Sequence, residues 1–297
     1  MPDEVSQVNN MNTGLVHGEN ERAAAPEAEQ GPASSRRPPG MRLPPVLFED
    51  SCIVAFDKPA GMLVTPDRWD KNAEFLMQII HTKMDPGIFN VHRLDRETSG
   101  VLLCAKNDQT LRTLCRDFEQ RRMSKRYLCL ARGCPPWQEY TVDIGILPDR
   151  DRPGRMRASK AGKRAETRFR VLEMWLGYSF IEAVPITGRT HQIRVHLASA
   201  GYPIVADPLY GNGRGIFLSE MKKKYKFKET PERPLIGRVA LHSECLSFTH
   251  PETGQQMTIQ SPVPHDFNVA MKYLSRFAAR NAASSSLNLE SELPDGL

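Results

Sequence analysis

The chain has 297 residues, of which 40% are hydrophobic and 25% are charged, so it can form a sizeable core and has the composition of an average globular protein. Its 40 basic and 35 acidic residues leave a formal net charge of +5, which is a weak indication of an anionic partner. No apolar run approaches the roughly 18 residues of a membrane span, so a membrane protein is not expected.

The N-terminal residues and the cysteines both bear on location. Residues 1–30 contain six acids and a single base, Arg22, unlike a secretory signal or an Arg-rich transit peptide. The six cysteines form no C-x-x-C pair, and three of them lie in apolar strand-like runs, as small core residues do in a reducing compartment. We therefore expect a cytoplasmic protein.

The predicted strands lie between two polar tails. Residues 1–43 are rich in Ala, Glu, Asn, Pro and Ser, and residues 281–297 are Ser-rich and acidic, so we expect both tails to be disordered. Alternating or β-branched runs between the tails predict strands. In chain order these are 52–57, 101–105, 127–131, 140–146, 165–172, 178–185, 239–248 and 257–260.

Three helices are predicted between these strands. The first two cover 74–83 and 108–121, and the third runs from a Thr190 cap to about Ala200 and stops at Gly201. The strands outnumber the helices and do not alternate strictly with them. The sequence therefore predicts one α+β domain at 44–280, built around a mixed or antiparallel sheet.

The most informative stretch is residues 92–100, His-Arg-Leu-Asp-Arg-Glu-Thr-Ser-Gly, which directly precedes the apolar run 101–105. It places the carboxylate of Asp95 among cationic and hydroxyl side chains at the mouth of a buried strand. A carboxylate there must be paired with a cation or take up a proton, and both are common in active sites. On its own, Asp95 beside Thr98 would be better interpreted as part of a turn, with Gly100 supplying backbone freedom.

Three further stretches occur in an order that matches one enzyme family. They are Lys-Pro-Ala-Gly at 58–61, Lys-Arg-Tyr at 125–127 and Gly-Arg-Thr-His-Gln-Ile-Arg-Val-His-Leu at 188–197. With residues 92–100 they resemble the motifs of the RluA-type pseudouridine synthases, over roughly residues 48–264. The resemblance implies an α+β domain with a mixed, mostly antiparallel central sheet, flanking helices and a catalytic cleft for RNA across the sheet.

The resemblance also implies a reaction, the isomerisation of uridine to pseudouridine in ribosomal or transfer RNA by base flipping. It gives the catalytic role to Asp95, pairs Asp95 with Arg194, and gives Tyr127 a ring that stacks on uracil and a phenol that accepts or relays a proton. The sequence leaves open whether Asp95 attacks the sugar, attacks the base or abstracts a ribose proton. Because the reaction only rearranges bonds within one nucleotide, no cofactor or metal is expected.

A second set of residues is expected to bind the substrate. By analogy, Arg93 enters the space vacated by the flipped nucleotide, and Leu241 packs under the uracil. Lys58 is expected at a tight turn of the cleft, where its role is more structural than chemical. Asp207 and Tyr210 resemble another family segment, which we interpret as a scaffold loop. The complete substrate-binding set is Arg93, His92, Leu241, Lys58, Arg189 and His191.

Two blocks of basic residues indicate where RNA would bind. Residues 150–170 hold nine basic residues against two acids, a local net charge of 9 minus 2, or +7. Residues 222–228 interleave five lysines with Tyr225 and Phe227. Dense charge usually marks a solvated face, but lysines mixed with aromatic rings suit RNA, where cations meet phosphates and rings stack on bases.

Two other functions compete with the enzyme. A metal hydrolase would use His92, His191, His196 and Asp95, but His191 and His196 are five positions apart and diverge around a helix. A noncatalytic RNA-binding protein would use the basic blocks equally well, yet it gains nothing from a buried carboxylate where phosphate must approach. We therefore expect a monomeric enzyme that acts on an RNA stem-loop, with no membrane and no obligate protein partner. The N-terminal tail lacks the pattern of an S4-type RNA-binding module, so target recognition is expected to fall on the catalytic domain.

Overall fold

The structure is a computed structural model that describes residues 42–66, 74–227 and 229–279. The tails predicted to be disordered, 1–43 and 281–297, lie outside these residues except for Arg42 and Leu43. Among the helices of the described ranges, none has the length and apolar character needed to cross a membrane.

Strands account for most of the regular structure in the described residues, and four α-helices are distributed among them. The strands are β1 Val46–Glu49, β2 Ile53–Lys58, β3 Phe89–Asn90, β4 Ser99–Ala105, β5 Ser124–Arg132, β6 Glu139–Asp143, β7 Ile146–Pro148, β8 Met156–Ala158, β9 Glu166–Trp175, β10 Tyr178–Pro185, β11 Leu241–Thr249 and β12 Gln256–Gln260. The helices are α1 Leu76–Lys83, α2 Asp108–Glu119, α3 Gln192–Ser199 and α4 His265–Phe277, and a short 3₁₀ helix covers Leu218–Glu220.

Within the described residues, ten strands form one sheet in the order β1-β2-β4-β11-β5-β10-β9-β6, with β12 paired to β11 and β3 paired to β4. β4 and β11 run parallel, with Ser99 opposite His242 and Gly100 opposite Ser243. The other pairings of this sheet are antiparallel, and β7 and β8 form a separate antiparallel hairpin. The predicted α+β class with a mixed, mostly antiparallel sheet is confirmed.

β4 lies inside the sheet, and all seven of its residues are buried. Successive side chains of a strand point to opposite faces, so Val101 and Leu103 join a cluster that contains Leu114 of α2. Leu102 belongs to a second cluster that contains Leu76 of α1. Cover on both faces explains the uninterrupted apolar run that follows residues 92–100, and it fixes the strand to which Asp95 is attached.

The boundaries of some elements differ from the prediction. The single strand predicted at 140–146 is two strands, β6 and β7. The chain breaks there because Gly145 packs backbone to backbone against Gly162, where an added Cβ would lie 2.6 Å from the Gly162 carbonyl oxygen. Helix α4 was not predicted, although Phe267, Ala270 and Leu274 have helical spacing and are buried on one face.

Gly100→Ala is expected to lower the free energy of unfolding by at least about 3 kcal/mol. Gly100 has a φ of +109°, and an added Cβ would lie 2.1 Å from the carbonyl oxygen of Ser243, so β4 and β11 would have to separate. Gly61→Ala is the matched control, because Gly61 has a φ of +85° but no atom within 4 Å of the added Cβ. It should lose only about 1–2 kcal/mol from backbone strain. Urea denaturation measures both losses, and equal losses would contradict the steric explanation.

Candidate active site

Asp95 lies in the loop between β3 and β4. Its backbone carbonyl accepts a hydrogen bond from the Thr98 amide at 3.1 Å, which turns the chain into β4. Its side chain is 25% exposed, and its Oδ2 lies 3.7 Å from Nη1 of Arg194, whose side chain is 3% exposed. The structure thus brings together the two residues that the sequence paired, with the carboxylate accessible and the guanidinium buried.

Arg194 is held mainly by a second carboxylate, that of Asp207. Its Nε and Nη2 donate to Oδ2 and Oδ1 of Asp207 at 2.7 and 2.9 Å, and Asp207 is fully buried. Burial alone would lower the pKa of Arg194, but the hydrogen bonds and the charge of Asp207 raise it above its usual value. The same Asp207 carboxylate accepts the backbone N–H groups of Leu209 and Tyr210. Asp207, interpreted from sequence as part of a scaffold loop, therefore fixes the guanidinium that faces Asp95.

Two guanidinium groups lie close to the ring of Tyr210. The Cζ atoms of Arg194 and Arg155 lie 5.1 and 5.5 Å from its ring centre. Its hydroxyl accepts the Met156 backbone N–H at 2.8 Å and lies 2.8 Å from Nδ1 of His191. Burial lowers the pKa of His191, so a neutral ring can accept the Tyr210 proton at Nδ1. Tyr210 thereby joins the basic hairpin β7–β8 to the Arg194 side of the site.

Tyr127 lies on β5, opposite Ser243 of β11. It packs against two hydrophobic clusters, one of which includes Leu94 and the other Leu241. Burial raises the pKa of Tyr127 to about 12; a hydrogen bond with Ser243 opposes this shift, and the charge of Asp95 adds to it. The phenol therefore remains protonated at neutral pH.

Lys58, predicted to bind substrate, is fully buried. Its Nζ donates to the carbonyl oxygens of Pro59, Arg96 and Thr98 at 2.8, 3.1 and 2.8 Å, which uses all three protons of an ammonium group. Burial lowers the pKa of Lys58 to about 7. Lys58 thus ties the end of β2 to the loop that follows Asp95, as the structural role expected for it requires, and its contact with substrate stays a prediction.

His92, also predicted to bind substrate, faces the protein. Its Nε2 accepts the Leu103 backbone N–H at 3.0 Å, and its ring stacks on Phe118 of α2 with centres 4.9 Å apart. Burial lowers the pKa of His92 to about 3, so the ring is neutral. His92 therefore anchors the Asp95 loop to β4 and α2, and its contact with substrate stays a prediction.

The other predicted substrate contacts differ in accessibility. Arg93 is exposed beside Asp95. Arg189 is partly buried, and its Nε donates to the carbonyl of Arg164 within the basic block at 3.0 Å. Leu241 is only 3% exposed in the cluster against which Tyr127 packs, so it has almost no surface to offer a base in this structure.

Helix α3 begins later than predicted. His191, at a left-handed φ of +57°, precedes the helix, and Thr190 does not cap it. The Oε1 of Gln192 accepts the backbone N–H of Arg189 at 3.0 Å and the hydroxyl of Thr187 at 2.7 Å. Arg194 consequently lies in the first turn of α3.

Comparison with known proteins supplies the family. Residues 53–199 match the family model described as RNA pseudouridylate synthase. A ribosomal large subunit pseudouridine synthase D from Neisseria meningitidis serogroup A is 32% identical over 289 residues, which is 95% of this chain and 73% of that protein. The chain belongs to the RluA-type RNA pseudouridylate synthases.

Another relative and a solved structure agree with this membership. The synthase D of Neisseria meningitidis serogroup B is 34% identical over 258 residues, 84% of this chain, and the chain spans 65% of its length. The structure named Human RNA Pseudouridylate Synthase Domain Containing 1 superposes with a TM-score of 0.59 at 23% identity, over 82% of this chain and 99% of that chain. That likeness shows that the fold is shared with an RNA pseudouridylate synthase domain.

The match to the RNA pseudouridylate synthase model covers Asp95, Tyr127 and Arg194 but ends before Asp207 and Tyr210. The two residues that support Arg194 therefore lie outside the matched segment. Both stand out in the sequence, but no signal there marks Asp207 as the closer partner of the guanidinium.

The alternative metal site does not form among the described residues. Nδ1 of His196 lies 2.9 Å from the Thr167 hydroxyl, and its Nε2 lies 3.1 Å from the carbonyl of Ile144, so both ring nitrogens have partners. Nε2 of His92 is likewise occupied by a backbone N–H. Two of the three histidines therefore lack a converging, free ligand atom.

Proposed function

We propose that this protein is an RNA pseudouridine synthase that converts uridine to pseudouridine in ribosomal RNA, with transfer RNA as the alternative target. The observation that carries the proposal is the accessible Asp95 carboxylate, 3.7 Å from a buried guanidinium that Asp207 fixes in place. Ribosomal RNA is favoured because the relatives are named ribosomal large subunit pseudouridine synthases.

In this proposal Asp95 promotes departure of the flipped uracil, by attack on the sugar or base or by abstraction of a ribose proton. The bond from uracil nitrogen 1 to ribose breaks, the base turns, and carbon 5 forms the new bond to the sugar. A proton leaves carbon 5 and nitrogen 1 gains one, so the overall composition is unchanged. The role of Arg194 is to orient the Asp95 carboxylate, whose Oδ2 lies 3.7 Å from Nη1 of the guanidinium.

The roles proposed for the neighbouring residues follow from their exposure and protonation. Tyr127 offers a ring for stacking, and because its pKa is about 12 it acts as a neutral donor or relay and not as a standing phenolate base. Arg93, exposed beside Asp95, compensates the gap left by the everted nucleotide. Arg189 and His191, which lie just before α3, bind the RNA substrate in this proposal.

We propose that residues 44–280 form the catalytic domain and that the protein works in the cytoplasm as a monomer, without a cofactor, metal or obligate protein partner. The six cysteines are free thiols, which supports a reducing compartment. The isomerisation neither oxidises nor reduces the nucleotide, so the chemistry itself calls for no redox group.

The direct test is release of tritium from ribosomal RNA labelled at uridine carbon 5, with transfer RNA in a parallel reaction and no added metal or cofactor. We expect release from unmodified ribosomal RNA, and mapping of pseudouridine in RNA from cells with and without the gene to identify the site. Release of tritium from transfer RNA but not from ribosomal RNA would show that transfer RNA is the target. Release from neither RNA would overturn the proposed activity.

A further inference from the structure

Residues 217–227 and 229–235 belong to a loop that contains the short 3₁₀ helix Leu218–Glu220 and whose two ends are joined by backbone hydrogen bonds. The amide of Ile216 donates to the carbonyl of Ile236 at 3.1 Å, and the amide of Leu235 donates to the carbonyl of Ile216 at 2.7 Å. Just before the loop, the carbonyl of Arg214 accepts the backbone N–H of Ala206, the neighbour of Asp207, at 3.2 Å. The loop is therefore attached to the segment that fixes Arg194.

The loop presents an aromatic pair on a braced support. The rings of Tyr225 and Phe227 meet edge to face with centres 5.0 Å apart. The backbone N–H of Tyr225 donates to the carbonyl of Lys222 at 3.0 Å, and Glu232 Oε1 accepts the backbone N–H of Ser219 at 3.0 Å. The backbone at Tyr225 is thus held in a turn, and the Tyr225 ring contacts one side of Phe227.

Phe227 is 79% exposed, the highest value among the large hydrophobic residues of the described chain that are exposed. Leaving a phenyl ring in water forgoes about 1.5–3 kcal/mol of burial free energy. An exposed ring that is braced by a neighbour, and not folded into the core, offers a flat apolar surface to a partner.

The lysines around this ring are exposed and lack acidic partners in the described part of the chain. Lys222, Lys223, Lys224 and Lys226 are all exposed, and none of them forms an ion pair with a described residue. The larger basic block is different, because several of its cations are already engaged. Arg164 and Arg168 lie 3.5 and 3.8 Å from Glu166.

We propose that residues 222–227, the lysine–aromatic platform, bind an unpaired segment of the RNA substrate, with a base stacked on Phe227 and phosphates contacted by the lysines. Every base has a π face and every nucleotide a phosphate, so a ring among unpaired ammonium groups is complementary to single-stranded RNA. In an RNA duplex the faces of the bases are stacked on one another, so a duplex could contact the lysines but not the Phe227 ring. The inference rests on the proposed function in that its ligand is the RNA on which the Asp95 site acts.

The test measures binding of a fluorescent single-stranded 12-nucleotide oligo(A) and of a fully paired RNA duplex to the full chain, by anisotropy. Phe227→Ala should weaken oligo(A) binding by about 5- to 150-fold, the range for loss of one stacked base, and change duplex binding by less than about twofold. Phe227→Tyr should retain oligo(A) binding, whereas Phe227→Leu, apolar but without a π face, should lose it.

Leu176→Ala is the matched control, because Leu176 is 74% exposed in the turn between β9 and β10. It should leave both affinities unchanged. For oligo(A) binding, the slope of log K against the logarithm of salt concentration measures how many phosphates are neutralised. The double variant Lys223→Gln/Lys224→Gln should make this slope less negative by about 1.4, or roughly 0.7 for each phosphate that is no longer neutralised.

Equal oligo(A) affinities for the wild type, Phe227→Ala and Leu176→Ala would overturn the proposal. So would a Phe227→Ala protein that binds oligo(A) normally but no longer binds phosphatidylserine vesicles, since the platform would then serve a membrane surface. In tritium release, Phe227→Ala should raise KM and leave kcat within about twofold at saturating RNA. If the wild type released no tritium, the proposed activity would fail while the oligo(A) measurements would still decide the platform.

Discussion

Asp95→Asn is expected to reduce pseudouridine formation by at least about 10³-fold while RNA affinity stays within about threefold of wild type. A carboxamide has nearly the same shape as the carboxylate, so it keeps the pocket, but it can neither attack as an anion nor accept a proton. Tritium release under single-turnover conditions measures the chemical step, and anisotropy measures RNA binding separately.

Asp108→Asn is the control for removing one carboxylate. Asp108 is 72% exposed at the start of α2 and lies 3.8 Å from Arg112 across one turn of helix, so the variant should release tritium at the wild-type rate. Full turnover by Asp95→Asn would reject the role proposed for Asp95. A large loss of RNA affinity in Asp95→Asn would instead indicate that Asp95 serves binding.

Arg194→Met is expected to lower the free energy of unfolding by about 3–5 kcal/mol, because it leaves the fully buried Asp207 carboxylate without its cation. Asp207→Leu should cause a loss of similar size by stranding Arg194. With both substitutions, neither member of the buried pair is left as an unpaired charge. The loss of unfolding free energy in the double variant should therefore be smaller than the sum of the two single losses by at least about 2 kcal/mol. Urea denaturation of the wild type, the two single variants and the double variant gives the four free energies of this double-mutant cycle.

Activity should not follow stability in the double variant. Asp95 would still lack its guanidinium, so we expect tritium release to remain reduced by about 10²-fold or more even where the protein is folded. Arg170→Met is the control for a pair of the same chemistry at the surface. The Arg170 side chain is 50% exposed and lies 3.1 Å from Glu182, and its removal should change stability by less than about 1 kcal/mol. Simple additivity in the Arg194 and Asp207 cycle would reject the buried-pair explanation.

The part of the fold that was predictable from sequence is the part whose local pattern determines it. β10 has the predicted limits because alternate residues from Tyr178 to Pro185 are buried against the core. α2 was predicted from one apolar face, and the side chain of Asn107 caps it by accepting the Thr110 backbone N–H. Such features are determined by residues that are close together in the sequence, so the sequence alone is enough to predict them.

Contacts between distant residues were not predictable. Nothing near residues 99–100 indicates that β4 pairs with β11, whose His242 contacts Ser99 across 143 positions of sequence. The same limit applies to the site. The motifs pointed to Asp95 and Arg194, but only the folded chain shows Lys58 occupied by three carbonyls and Asp207 bonded to Arg194 at both oxygens.

The parallel contact between β4 and β11 has a further consequence for when the site is complete. Asp95 lies in the loop that leads into β4, on one side of that contact. Tyr127 lies on β5, on the other side of β11, and Arg194 lies on α3, which follows β10 in the chain. Arg194 follows Asp95 by 99 positions (194 minus 95), and Asp207 comes later still. A nascent chain that has left the ribosome only as far as β5 carries Asp95 but not yet Arg194 or Asp207. With the roles proposed for these residues, we expect such a chain to be inactive and the active site to be complete only late in synthesis.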